Sequence, residues 1–219
     1  SRATMAAGGS ADYQDELGGE SSPGDVVEAL KRAFVNERCA PDLLPHQDDL
    51  VNDVKERINE QVNLINELDE SQTLQKDLYN MELERINYML RNYMRDRLRK
   101  ITKLSLHLAN NAEAQASLSD NEHEFVTGYV NLYQQHMDRS VWDAVDTSQI
   151  PENLKDISTT PSLLVVPKLD AHVFCKASED LDPIVTGTDD EIKLDAGDVA
   201  LLRYGLIKDL VRDGRVVLT

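Results

Sequence analysis

The sequence predicts an α+β protein, mainly α, with an N-terminal helical bundle built around a long central helix and a small C-terminal β-rich domain. Three observations predict it. Apolar residues recur at helical spacing from Asp25 to about residue 145. A stretch rich in turn formers, DTSQIPENLKDISTTPS at 146–162, then interrupts the pattern. Beyond it the apolar runs are short and separated by Pro, Gly and Asp, the signature of strands. The expected organisation is therefore a disordered acidic arm at 1–24, a helical domain at 25–145, a linker at 146–162 and a β-rich domain at 163–219.

The arm carries Asp12, Asp15, Glu16 and Glu20 against Arg2, with too few apolar groups to offset the entropy of ordering. Ser1 to Thr4, ahead of Met5, read as vector-derived residues. Tyr13 and Leu17 sit four apart among acids, a spacing compatible with one helical turn on a partner's groove.

A first helix is expected from Asp25, with Asp25 and Glu28 as a capping box, carrying Val26, Val27, Leu30, Ala33 and Phe34. Pro41 ends it, and Leu43 and Leu44 anchor the turn. A second helix, from about His46 to Asp69, shows a single stripe of Leu50, Val51, Val54, Ile58, Val62, Ile65 and Leu68. The third, from about Ser71 to Leu108, is long enough to project beyond a small bundle. Ser119 and Glu122 form a capping box for a fourth, whose apolar side runs from Phe125 to Trp142. In the last domain, strands are expected at 163–166, 171–176, 184–186, 191–194 and 215–218. A short helix is expected from Asp198, ended by Gly214.

The third helix stands out chemically. Between Arg85 and Lys103 it holds seven basic residues against one acid, Asp96, inside a chain of net charge −17. Its apolar residues, among them Ile86, Tyr88, Met89, Tyr93, Leu98 and Ile101, spread over too wide an arc for one core-facing stripe. Arginines among aromatics suit buried interfaces, because a guanidinium stacks and binds carboxylates bidentately. The expectation is a helix that its own chain cannot fully shield, with its arginines paired to a partner's carboxylates.

Other chemistries lack residues. Loop 180–191 imitates a calcium-binding loop but places Ile184 and Val185 where an oxygen ligand and Gly are needed. The five histidines show no metal-ligand spacing, and neither a P-loop nor a dinucleotide fingerprint occurs. Cys39 and Cys175 sit in no nucleophile motif and suggest a reducing, intracellular setting. No enzyme, cofactor or metal is expected. The whole molecule is too acidic for phosphate-backbone binding, although Arg91, Arg95, Arg99 and Lys100 leave open a basic-helix DNA-binding adaptor.

The pattern formed by Met81, Glu82, Glu84, Arg85, Ile86, Tyr88, Leu90, Tyr93, Arg95, Arg97, Leu98, Lys100 and Ile101 closely resembles the Sld-type subunit family, subunit four, of the eukaryotic GINS complex. Asn36, Glu37, Ala40, Pro41, Leu43 and Leu44 resemble that family's first-helix turn. Leu169, Asp170, Val173, Phe174, Arg203, Tyr204, Ile207, Leu210 and Val211 resemble its carboxy-terminal domain. Cys39 and Met94 depart from the pattern, and the arm lies outside it. The resemblance implies a non-catalytic, nuclear subunit of a heterotetramer with three sister (Psf) subunits. It further implies a place in the CMG helicase with the MCM ring and a further cofactor subunit, and support for polymerase attachment. Under it, Arg85, Tyr88, Tyr93, Arg95, Arg97, Leu98, Lys100, Ile101, Phe174, Arg203 and Tyr204 are expected in subunit interfaces or interdomain packing.

Overall fold

A computed structural model describes residues 23–142, 164–186 and 191–219. Almost all of the expected arm, Tyr13 and Leu17 included, and the whole expected linker lie outside the described residues.

Helix α1 spans Pro23–Cys39. Asp25 lies inside its first turn instead of capping it. This corrects the expected capping box: proline's fixed φ is preorganised for the opening of a helix, so the chain turns helical two residues earlier. Val26, Leu30 and Ala33 are buried. Pro41 cannot continue the helix, and Leu43 and Leu44 are buried in the turn that follows. Helix α2 spans Asp48–Glu67 with Gln47 as an N-cap that makes no side-chain bond. Its buried side is Val51, Val54 and Ile65, while Val62 is exposed, so the stripe is narrower than its apolar spacing suggests.

A single 3₁₀ turn, Glu70–Gln72, leads into α3, Thr73–Asn110, which at about 1.5 Å per residue is ~57 Å long. A short helix that the sequence reading lacked, α4 at Ala112–Gln115, is nucleated by Asn111, whose side chain accepts from the Glu113 and Ala114 N–H groups. Helix α5, Asp120–Met137, carries the Ser119/Glu122 capping box and passes into a π-helical turn at Asp138–Trp142. Two apolar clusters hold these helices. Val26, Leu30, Val51, Val54, Met89 and Tyr93 join α1, α2 and α3. Leu43, Ile101, Leu104, Leu108 and Val126 join α3, α5 and the α1–α2 turn.

The C-terminal part contains β1 (His172–Ala177), β2 (Ile184–Val185), β3 (Glu191–Ile192), β4 (Val199–Arg203), α6 (Tyr204–Arg212) and β5 (Val216–Leu218). The main sheet is antiparallel, ordered β4-β1-β5, with Phe174 opposite Leu201 and Cys175 opposite both Ala200 and Leu218. Two expectations are corrected. Leu164 to Val166 form no strand, and Val199 to Leu202 form one instead of opening a helix. Ala200 and Leu202 turn inward while Val199 and Leu201 turn outward, a period of two that the β1 register fixes. The helix begins at Tyr204 and buries Tyr204, Ile207 and Val211 at helical spacing. Gly214 follows the C-cap at φ +76, a left-handed conformation that glycine adopts without a Cβ clash.

This sheet does not close its core alone. Ala40 and Leu44 of the α1–α2 turn are buried with Cys175, Leu202, Tyr204, Ile207, Val216 and Leu218 in one cluster. The Leu218 N–H donates to Asn36 Oδ1 at 2.8 Å, so β5 is pinned on α1. Ile207→Ala removes a fully buried side chain from this shared core and should lower stability by about 2–5 kcal/mol in urea unfolding. Leu201→Ala, on the outward face of β4, should change it by less than about 0.5 kcal/mol.

Candidate interaction site

Two charged positions fall inside apolar stripes. On α1, Glu37 follows Val26, Leu30 and Ala33; on α3, Arg97 lies between Tyr93 and Ile101. Both are buried, and Arg97 is 0% exposed. An unpaired buried charge would be expensive, so each needs a counter-ion and hydrogen bonds.

The Arg97 guanidinium has all five of its N–H donors engaged. Nε donates to Glu122 Oε1 at 2.7 Å and Nη2 to Glu122 Oε2 at 2.8 Å, a bidentate fork onto α5. Nη1 donates to Glu37 Oε2 at 3.0 Å and to the Leu44 carbonyl at 2.7 Å; Nη2 also reaches the Ser117 carbonyl at 3.0 Å. Burial alone would depress the Arg97 pKa, but the Glu122 hydrogen bonds and the Glu37 charge overcome it and hold the pKa above its ordinary value. Burial likewise opposes ionisation of Glu122, yet the Arg97 hydrogen bonds keep its pKa below the usual carboxylate value. The Tyr93 ring stacks against His46 at 6.1 Å and its centroid lies 5.8 Å from the guanidinium carbon, a cation–π contact beside the ionic cluster.

From Glu37 the network continues outward. Lys100 Nζ donates to Glu37 Oε1 and to the Asp42 carbonyl, each at 2.7 Å, and to the Glu37 carbonyl. Asp42 Oδ1 accepts from the Tyr204 hydroxyl, while Asp42 Oδ2 lies 3.4 Å from Lys208 Nζ and 3.9 Å from Arg212 Nη2. Burial and the neighbouring Asp42 carboxylate push the Tyr204 phenol above its ordinary pKa. An unbroken polar chain therefore runs from α5 through α3 and α1 to α6, joining helical and β parts.

The residues singled out in the sequence divide into two sets. Tyr93, Arg97, Lys100, Ile101 and Tyr204 point inward and meet their own chain. This corrects the expected pairing of Arg97 with a partner's carboxylate: Glu37 and Glu122 fold onto it first. Arg85, Tyr88, Arg95, Leu98, Phe174 and Arg203 point outward. Among the described residues Arg85 is ion-paired with the exposed Glu82, at 2.6 Å. Phe174 faces Leu201 across the exposed side of the sheet. Sequence reasoning gave no ionic role to Glu37, Asp42, Glu122, Lys208 or Arg212, and passed over His46, whose Nδ1 is buried 3.7 Å from Glu122 without a hydrogen bond. For Glu37 a signal existed, since a carboxylate in an apolar stripe demands a buried cation. Cys39 and Cys175 are free thiols, and among the described residues no cluster of three or more His, Cys, Asp or Glu is placed to hold a metal.

A helical bundle with an internally neutralised ionic core, a β unit docked on it and an uncovered basic, aromatic outer helix face has the build of an interaction subunit. Comparison with known proteins gives that class its family. Residues 48–141 match the GINS complex protein helical bundle domain, and residues 167–218 match the C-terminus of the DNA replication complex GINS protein SLD5. Proteins described as DNA replication complex GINS protein SLD5 align along nearly the whole chain. The Arabidopsis thaliana protein is 33% identical over 96% of both chains. The Schizosaccharomyces pombe protein is 32% identical over 87% of this chain and 90% of its own. The Homo sapiens protein is 28% identical over 94% and 96%. The chain belongs to the SLD5 family of GINS proteins.

Arg97→Ala leaves the buried Glu122 carboxylate without the guanidinium that neutralises it and Glu37 with Lys100 alone, and should cost about 3–5 kcal/mol in urea unfolding. Arg97→Lys keeps the charge but offers three donors where five acceptors wait, and should still lose roughly 1–3 kcal/mol. The pH dependence has two flanks. Glu122, held below its ordinary 4.5, contributes stability that is present above that value and lost as pH falls through its folded value. Tyr204, raised above its ordinary 10.0, contributes stability that is present below that value and lost as pH rises through its folded value. Urea midpoints measured across pH should fall at both ends, and Tyr204→Phe should remove this contribution to the alkaline decline while leaving the acid one.

Proposed function

We propose that the chain is a non-catalytic structural subunit of the heterotetrameric GINS complex, acting with three sister subunits in DNA replication. On this reading it works in the nucleus within the replicative CMG helicase, alongside the MCM ring and a further cofactor subunit, with polymerase or replisome adaptor contacts on its periphery. The helical unit at 25–145 and the β-rich unit at 163–219 serve as its two binding modules. Arg85, Tyr88, Arg95, Leu98, Phe174 and Arg203 are the residues available to partners.

One observation carries the reading: family likeness extends over both units of a chain whose central helix turns aromatic and basic side chains to solvent. Inward charges are satisfied within the chain, and the outward ones lie at the surface, Arg85 in an exposed pair with Glu82 that contributes little. The DNA-adaptor reading loses support because Lys100, one of its four cations, is spent on Glu37 and Asp42.

Co-expression with the other GINS subunits tests the proposal. A tagged chain should recover them in a complex that persists as salt rises from about 0.1 to 0.5 M, because apolar packing is not screened. Recovery of the chain as a lone monomer, or salt-sensitive binding to duplex DNA in place of subunit recovery, would contradict it.

A further inference from the structure

A cleft opens between the first three helices, where the described chain begins. Helix α1 starts at Pro23, and its first apolar residues, Val26 and Val27, line this cleft with Ile58 of α2 and Leu83 and Ile86 of α3. At the other end of α1, Glu37 meets Arg97, so α1 runs alongside α3 in the same direction. Extended backwards from Pro23, that direction leads along α2 towards Glu67 and along α3 towards Thr73, where among the described residues no third helix packs. Leu64 and Tyr79 form this far part of the cleft, and Leu64 is left 54% exposed in an apolar wall. The cleft measures about 410 Å³, within the ~300–1,000 Å³ of small binding sites and enough for a pair of side chains.

We propose that the cleft is filled in cis by the chain's own N-terminal arm, through the stretch Asp12–Leu17. The sequence analysis left Tyr13 and Leu17 suited to a helical turn on some groove, and this groove lies at the point where the arm enters the fold. As one helical turn, Tyr13 and Leu17 fall on the same side and enter the cleft, while Asp12 and Glu16 share one flank. That flank complements Arg57 on the α2 rim, whose pair with the exposed Glu60, at 3.8 Å, contributes little.

Reach and tethering favour this occupant over a separate peptide. The connection from Gly18 to Ser22 spans up to about 17 Å when extended, whereas α2 advances only ~9 Å between Ile58 and Leu64. Gly18 and Gly19 permit the reversal that seats the turn. A tether this short sets an effective concentration on the order of millimolar, so burial of two side chains suffices where a free segment of equal length would stay unbound. The contact lies within one chain and does not depend on the GINS-subunit reading.

The test uses the full chain with a photo-crosslinking benzoylphenylalanine in place of Tyr13, in a mixture of isotope-labelled and unlabelled copies. Crosslinks should map to 57–64 or 79–86 and join peptides of the same label. Leu17→Asp, and separately Leu64→Asp in the cleft wall, should each lower the crosslink yield about tenfold, the equivalent of one lost buried leucine. Leu17→Met should restore it, and Leu132→Asp, at an exposed position on α5, should leave it unchanged. Amide hydrogen exchange within 57–64 should quicken in the Leu17→Asp chain, whose substitution lies outside every buried cluster of the described fold. Crosslinks between differently labelled copies, crosslinks scattered over other surfaces, no crosslink, or yields and exchange unchanged by Leu17→Asp would overturn the proposal.

Discussion

The placement of Arg97 constrains most of the molecule. A guanidinium fully removed from water is tolerable only where carboxylates and carbonyls surround it, and here they come from α1, α5, the α1–α2 turn and the segment before α5. Each of those pieces must therefore stand in one geometry. Replacing such a cluster with apolar residues of equal volume can cost little, so its value need not lie in net stability. Its geometric consequence is specification: five directed bonds leave α1, α3 and α5 little freedom to slide, which apolar packing alone would allow.

The same network reaches the C-terminal part. Lys100 links Glu37 to the Asp42 backbone, and the Asp42 side chain takes the Tyr204 hydroxyl, so the β unit is tied to the ionic core by neighbours in sequence along the α1–α2 turn. Apolar burial of Ala40 and Leu44 among the sheet's core residues acts in the same direction. For a family of complex-forming proteins this has a functional sense. A subunit that presents two binding modules does so most specifically when their relative placement is fixed before partners arrive, since preorganisation lowers the entropic cost of association.

Much of this was legible in the sequence, and the boundary of legibility is physical. Helical spacing located four of the helices to within a few residues, because a one-sided apolar stripe is a local property. The Ser119/Glu122 box and Gly214 were readable for the same reason. Val199–Arg203 was misread because Val199, Leu201 and Leu202 suit either period, and only pairing with β1 decides between them. Arg97 was recognised as a charge needing a counter-ion, but not whose. Its carboxylates lie 60 and 25 residues away, and Glu122 already had a sufficient local role as a capping residue. The excess arc on α3 resolved into two faces, one satisfied within the chain and one turned to solvent, a division that residue types alone do not reveal.

The central claim is that the ionic core and the domain contact form one coupled unit. A double-mutant cycle between Arg97→Met and Tyr204→Phe, read as unfolding free energies in urea, tests it most directly. Among the described residues no hydrogen bond or ion pair joins the two directly; the polar path between them runs through Glu37, Lys100 and Asp42, beside Leu44, whose carbonyl accepts from Arg97 and whose side chain shares a core with Tyr204. The account predicts a coupling energy above about 0.5 kcal/mol, whereas additivity within about 0.3 kcal/mol would show two independent contacts and contradict it.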